Sequence, residues 1–254
     1  DTADSGGLTY SITTDDPASG TQFSVSGTAL TIAAQDYESP GCGSGADSLT
    51  CVVVLAATDA ASTATAHTIT VTITDTNDQA PTWTTSATAS VAEGATAVAT
   101  LAATDTDTAD SGGLTYTITT DDPGSGTQFS VSGTALTIAA QNYESPACGS
   151  GSNSLTCVVV LAATDAASTA TAHTITVTIT DTNDQAPAWT TSATANVAEG
   201  ATAVATLAAT DTDTADSGGL TYSITTDDPA SGTQFSVSGT ALTIAAQDYE
   251  SPGC

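Results

Sequence analysis

The stretch Asp75-Thr76-Asn77-Asp78-Gln79-Ala80-Pro81 returns unchanged at Asp181-Thr182-Asn183-Asp184-Gln185-Ala186-Pro187. An acidic, amide-rich run that ends in proline is a poor core strand and a good connector. Carboxylate, side-chain amide and backbone oxygens lie close together in it, which suits a hard cation such as Ca²⁺. The proline stops a preceding strand from running on, because it brings no N–H to a sheet ladder. The stretch therefore reads as a metal-binding hinge between copies of one folded unit.

Working outward from the hinge, the motif Asp-Thr-Ala-Asp-Ser-Gly-Gly begins at Asp1, Asp107 and Asp213, a spacing of 106 residues. Residues 1–42 and 213–254 are identical, and the middle copy differs at scattered positions, such as Asn142 against Asp36 and Asp248. Self-similarity at a fixed period marks a tandem array. With the hinge as boundary, residues 1–79 form a copy lacking its N-terminal strands, 80–185 a complete copy, and 186–254 a copy lacking its C-terminal strands. A start at Asp1-Thr2-Ala3-Asp4, with no basic n-region, reads as the middle of a longer chain.

Composition narrows the chemistry. The chain has 254 residues, 28 acidic side chains, no Lys or Arg, and a formal charge of −28. Its carboxylates must face water or bind cations, since a buried unpaired charge is too costly. Phosphate recognition rests on Lys and Arg, so nucleic acid and anionic membranes are excluded as partners. No apolar run of about 18 residues exists to span a bilayer. Hydrophobic residues make up 39% and aromatics 4%, which calls for small aliphatic cores.

Within the middle copy, Pro81-Thr82-Trp83 follows the hinge, and Trp83 and its twin Trp189 read as plugs for the ends of their own cores. Short β-rich runs follow at Ala87–Val91, Ala97–Ala103, Leu114–Ile118, Phe129–Val131, Ala135–Ala139, Leu155–Leu161 and Thr174–Thr180. The last reads Thr-Ile-Thr-Val-Thr-Ile-Thr, apolar in and β-branched polar out. Gly112-Gly113, Asp121-Asp122-Pro123 and Ser132-Gly133 punctuate the runs as turns. About seven strands in roughly 100 residues predict an all-β chain of tandem β-sandwiches.

Five cysteines follow the same period. Cys42/Cys51 and Cys148/Cys157 are each nine positions apart, and Cys254 opens a third pair. A zinc site would want two more Cys or His ligands nearby. A local disulfide in each copy is the reading, which places the chain in an oxidising, extracellular setting and contributes at most roughly 2–3 kcal/mol in the chain-entropy model. His67 and His173 recur at the head of the last strand with no distinct partner set, so they read as strand-surface side chains. An enzyme is not expected.

The remaining acids fall into ordered motifs: Glu-Gly at Glu93 and Glu199, Asp-x-Asp at Asp105 and Asp107, Asp-Tyr-Glu at Asp36–Glu38 and Asp248–Glu250 (Asn142-Tyr143-Glu144 in the middle copy), and Ala-x-Asp at Asp59 and Asp165. The acids outside these motifs lie in turns, where Asp caps backbone N–H groups. With the Asp-x-Asn-Asp-x-x-Pro hinge, the ordered set resembles the cadherin repeat across the whole chain. In its near-total loss of basic residues it resembles very large bacterial surface proteins more than animal adhesion receptors.

That resemblance implies a seven-stranded Greek-key sandwich with about three Ca²⁺ ions at each inter-repeat junction, held by carboxylate, amide and carbonyl oxygens. The first junction would use Asp36, Glu38, Asp75, Asn77, Asp78, Asp105, Asp107 and Asp165. The second would use Glu93, Glu144, Asp181, Asn183, Asp184, Asp211 and Asp213, with Thr182 and Gln185 giving backbone carbonyls. Asn142 would leave one neutral oxygen where the other copies have an acid. Gln79 and Gln185 stand where the family usually has Asn.

The expected function is mechanical: an extracellular, calcium-rigidified stalk or filament shaft, associating with itself as fibres or through homophilic contacts. A calcium-dependent adhesin binding other cells is the alternative. It would need a distinctive exposed patch, while a carbohydrate-binding module would need clustered exposed aromatics.

Overall fold

A computed structural model describes residues 7–16, 21–42, 50–59, 65–107, 113–122, 127–148, 155–167, 170–213, 219–227 and 233–250. Among them every regular element is a strand, so the chain is all-β. Cys254, Asp1, Gly112 and Pro123, named above, lie outside the described residues. The chain divides into two compact units that do not follow the sequence copies. One comprises Asp1–Thr85, Ala102–Thr117 and Ala162–His173; the other comprises Ser86–Leu101, Ile118–Leu161 and Thr174–Cys254.

In the first unit, β1 (Thr9–Thr14), β4 (Thr50–Thr58) and β5 (Thr65–Thr72) form a sheet in the order β1-β4-β5, and β2 (Phe23–Ser26) pairs with β3 (Ala29–Ile32). Their inner faces enclose a core of Phe23, Val53 and the Cys42–Cys51 disulfide, with Ile12, Leu30, Ile32, Leu55, Ile69, Val71 and Ile73 packed around it. The short β6 (Thr82–Trp83) pairs with β9 (Ala103–Thr104). Trp83 stacks on His173 at 4.9 Å between ring centroids, lies 5.4 Å from Tyr116, and donates its indole N–H to Thr171 O at 3.3 Å. Trp83 is thus the expected plug, whereas His173 is a packing partner and not a plain surface residue. Thr171 in turn donates its hydroxyl to the hinge carbonyl of Pro81 at 2.8 Å.

The middle copy builds its main sheet in the order β10-β13-β14-β7, from β7 (Thr88–Ala92), β10 (Thr115–Thr120), β13 (Thr156–Thr164) and β14 (Ala170–Thr180). Here β14 and β7 run parallel, with Thr176 opposite Thr88 and Thr180 opposite Ala92; the sequence runs alone give no such order. A second sheet, β11-β12-β8, uses β8 (Ala97–Thr100), β11 (Phe129–Ser132) and β12 (Ala135–Ile138). Alternation does what it should: Ile175, Val177 and Ile179 are buried while the threonines between them are not. The Ser132-Gly133 turn closes the β11–β12 hairpin with Gly133 at φ 59°, a first turn position that glycine takes at no steric cost. Cys148 and Cys157 are joined as a disulfide.

The last copy contributes β15 (Ala188–Trp189), β16 (Ala203–Thr206), β17 (Ala209–Thr210), β18 (Phe235–Ser238) and β19 (Ala241–Ile244), in the sheets β15-β17 and β16-β19-β18. Trp189 leans on Tyr222 at 5.4 Å yet stays 62% exposed.

The turn aspartates are structural. Asp121 Oδ2 accepts from the N–H groups of Gln128 (2.8 Å) and Phe129 (3.1 Å), and the buried Asp122 accepts from Val158 N–H at 3.1 Å. Asp15 and Asp16 repeat the pattern toward Phe23 and Val52. Each ties a loop to a strand start with a charge-assisted bond. Asp122→Ala is expected to lower stability by about 1–3 kcal/mol by leaving Val158 N–H without its acceptor. Denaturant unfolding would read the loss, and added divalent cation should not restore it.

Candidate metal centres

The Glu-Gly motif earns its glycine from geometry. Ala95 N–H donates to Ala92 O at 3.1 Å across a turn in which Gly94 takes φ 74°, the left-handed third position of a type II turn. That turn follows β7 directly and carries Glu93 out at its corner. Glu93 then joins two other motifs: Oε1 accepts from Thr182 N–H of the hinge at 2.7 Å, and Oε2 from Tyr143 N–H at 2.8 Å. The outcome is a group in which oxygens of Glu93, Glu144 and Asp181 lie within 4.8 Å of one another.

Asp-x-Asp works in the same way. Asp107 N–H donates to Asp105 Oδ1 at 3.1 Å, an Asx turn that folds the carboxyl of Asp107 inward. Asp107 is wholly buried, and its Oδ2 accepts from the hinge N–H of Gln79 at 2.9 Å. Asp213 repeats this with Asp211 (3.1 Å) and Gln185 (2.8 Å), again with no exposure. Each hinge is thereby bonded to the copy that follows it. Oxygens of Glu38, Asp75 and Asp107 form one group within 4.8 Å, and those of Glu144, Asp184 and Asp213 another.

The other expected residues take several places. Asp75, Asn77, Asp165 and Asp181 each bury a side-chain oxygen, and Asp165 also caps Ala167 N–H at 2.8 Å. Asp36 and Asn142 are exposed, and each caps the N–H of the glutamate two residues on, at 3.1 and 2.8 Å. The change from acid to amide at residue 142 keeps that cap. Asp78, Asp184, Asn183 and Thr182 are exposed. Sequence reasoning missed two things. Gln79 and Gln185 use their side chains as well, donating Nε2–H to Asp78 at 2.8 Å and Asp184 at 2.6 Å. A further group, Glu199, Asp248 and Glu250, lies in the last copy; its motifs were visible, but no downstream hinge drew attention to them.

Glu38 Oε1, Asp105 Oδ2, Asp107 Oδ1 and Asp213 Oδ1 are buried with no hydrogen-bond donor. Turn aspartates in the same chain find backbone donors, so these orphans are not a general feature of its acids. A buried carboxylate oxygen without a donor is strongly unfavourable, and this chain has no Lys or Arg to meet it. A cation bonded at about 2.3–2.6 Å to two oxygens holds them no more than about 5 Å apart, which the spacing within each group satisfies. All-oxygen ligation suits Ca²⁺ rather than zinc or copper.

The same crowding shifts proton affinity. Desolvation, with a hydrogen bond to Asp36 and the charge of Asp107, outweighs the backbone N–H at Glu38 and raises its carboxyl to about 7. At Glu144 the backbone N–H pulls down, but desolvation and the charges of Glu93, Asp184 and Asp213 leave it raised. A carboxyl raised on folding binds more protons folded than unfolded, so metal-free stability falls as pH rises from about 4.5 through 7. In chelator, the melting temperature is expected to drop across that window. Glu38→Gln should flatten the drop, as thermal melts at stepped pH would show.

No protein-family profile and no curated protein matches the sequence. Solved structures do match the fold. Protocadherin gammaB7 EC3-6, solved as a cis-dimer, superimposes over 97% of this chain and 60% of its own, at 20% identity and a TM-score of 0.66. The protocadherin gammaB4 extracellular domain covers 94% of this chain and 40% of its own, at 22% and 0.62. Human CDH23 EC21-23 covers 96% and 80%, at 19% and 0.58. The chain spans less than two thirds of the two protocadherin structures. Its fold is that of cadherin extracellular repeats, β-sandwiches in tandem.

Proposed function

We propose that this chain is an extracellular structural protein, a stalk or filament shaft of tandem repeats stiffened by Ca²⁺. The observation that carries the reading is the convergence of donorless, buried carboxylate oxygens, led by Asp107 and Asp213, in a chain without a cationic side chain. With repeat boundaries taken at the hinges (1–79, 80–185, 186–254), the groups of Glu38, Asp75 and Asp107, of Glu93, Glu144 and Asp181, and of Glu144, Asp184 and Asp213 would fall where one copy meets the next. The first site is Glu38, Asp75 and Asp107, with Asp36, Asn77, Asp78, Asp105 and Asp165 beside them. The second is Glu93, Glu144, Asp181, Asp184 and Asp213, with Thr182, Asn183 and Asp211. About three ions per junction is the stoichiometry proposed, each held by hard oxygen ligands.

The physical role of the ion follows from the hinge. Bound metal would cancel the mutual repulsion of the carboxylates and fix the hinge against both neighbours, converting a flexible string into a stiff rod. The absence of Lys and Arg leaves no site for trypsin-like proteases, an advantage outside a cell. Near-identical copies present nearly the same exterior, which suits a repeating shaft better than an adhesin that must show one distinctive face. No catalytic role is assigned.

Ca²⁺ at about 100 times its dissociation constant adds about 2.7 kcal/mol per independent site, or several degrees in melting temperature for a domain of this size. A thermal melt in Ca²⁺ should therefore exceed one in chelator by that margin, with Mg²⁺ giving much less. Asp107→Asn should remove a large share of the gain. Equal melts in Ca²⁺, Mg²⁺ and chelator would sink the reading.

A further inference from the structure

The loops of residues 33–42 and 139–148 belong to no strand, yet each presents a glutamate to a group of acids. Glu38 lies with Asp75 and Asp107, and Glu144 belongs to two groups at once, with Glu93 and Asp181 and with Asp184 and Asp213. A loop is a poor mount for a ligand oxygen unless something fixes it. Each of these loops is fixed twice, once by an amide and once by a covalent bond.

At the entry, Gln35 donates Nε2–H to Gln22 Oε1 at 3.0 Å and to Ala33 O at 2.9 Å, while its Oε1 accepts from Gly41 N–H at 2.9 Å. Gln141 repeats the three bonds with Gln128 (3.0 Å), Ala139 (2.8 Å) and Ala147 (2.9 Å). Its carbonyl also accepts from Gly94 N–H at 2.9 Å, beside Glu93. At the exit, the residue after Gly41 or Ala147 is a cysteine. Cys42 is joined to Cys51 of β4 and Cys148 to Cys157 of β13, and all four are at least 98% buried. Neutral amide bonds are weak in net terms because water competes for both partners. The disulfide is the anchor that opens only by chemistry.

We propose, on the calcium reading above, that the Cys42–Cys51 and Cys148–Cys157 bridges are positioning residues of the metal sites. Each holds its loop so that Glu38 or Glu144 is in place before the ion binds. A preordered ligand binds tighter, because binding no longer has to order the loop. Reducing a bridge with a dithiol transfers two electrons and two protons to the cysteines and leaves the reagent as its own disulfide. The loop then keeps only its hydrogen bonds, and the ion must order it. The coupling is reciprocal: a bridge that tightens ion binding is itself harder to reduce, by the same factor, when the ion is bound.

Calorimetric Ca²⁺ titration of the whole chain, beside Cys42→Ala/Cys51→Ala and Cys148→Ala/Cys157→Ala, tests this. Loss of one bridge should weaken the ions of its own site about tenfold, a usual size for coupled sites, and leave the other site unchanged. A bridge that only stabilised the fold would lower the melt and leave the affinity of the folded chain alone. A second measurement keeps the cysteines, and so serves even where those variants do not fold. The chain is equilibrated with graded dithiothreitol, and its thiols are trapped and located by mass spectrometry. Ca²⁺ should shift both bridges toward the disulfide, and Glu38→Gln should shrink that shift at Cys42–Cys51 while Cys148–Cys157 keeps it. Bridge-free variants that fold and bind Ca²⁺ as tightly as the unaltered chain overturn the proposal and leave the calcium reading standing. So does a shift at Cys42–Cys51 that Glu38→Gln leaves intact. An unaltered chain that binds no Ca²⁺ overturns both.

Discussion

Acid without base is the constraint on which the rest of the structure depends. With no Lys or Arg anywhere, a carboxylate that leaves water can be met only by an N–H or hydroxyl of the protein or by an ion from solution. The chain uses its own donors at the turns, where Asp15, Asp16, Asp121 and Asp122 accept backbone N–H groups at the starts of strands. Around the hinges it does otherwise. There Asp107 and Asp213 each spend one oxygen on a hinge N–H and bury the other without a donor. The first arrangement is complete in the polypeptide, whereas the second calls for a counter-charge.

The sandwiches themselves are frugal. Small aliphatic side chains fill the cores, a disulfide joins each of the two described pairs of cysteines, and threonine covers the strand exteriors. Those threonines are not inert filler. Ser24 bonds Thr31, Ser130 bonds Thr137 and Ser236 bonds Thr243, each at 2.7 Å across a hairpin, cross-strand pairs that add a little stability each. Each copy repeats these devices: Trp83 lies on Tyr116 and Trp189 on Tyr222, each at 5.4 Å between ring centroids.

Much of this was legible in the sequence because the information was local. Period-two alternation marks β10, β12 and β14 to within a few residues, and the Ser132-Gly133 turn declares itself through glycine, whereas Glu93-Gly94 was legible as an acidic motif and not as a turn. Grouping of Glu38 with Asp75 and Asp107 was readable only through motif order, since the residues lie far apart in the chain and folding alone brings them together. What stayed hidden depends on tertiary placement. No pattern within β7 or β14 says that they pair in parallel. Nothing in His173 predicts a ring stacked on Trp83, and Gln79 gave no sign that its side chain would bond Asp78 while its N–H bonds Asp107. Asn142 was legible as a lost charge but not as a retained cap, because only the folded loop shows its oxygen facing Glu144 N–H.

The most direct test of the central idea is a crystal grown in Ca²⁺, examined for anomalous density among Glu38, Asp75 and Asp107 and among Glu93, Glu144 and Asp181. Compact anomalous peaks at about 2.3–2.6 Å from several of these oxygens are the expected result. Carboxylates turned apart into solvent, with only water between them, would contradict it.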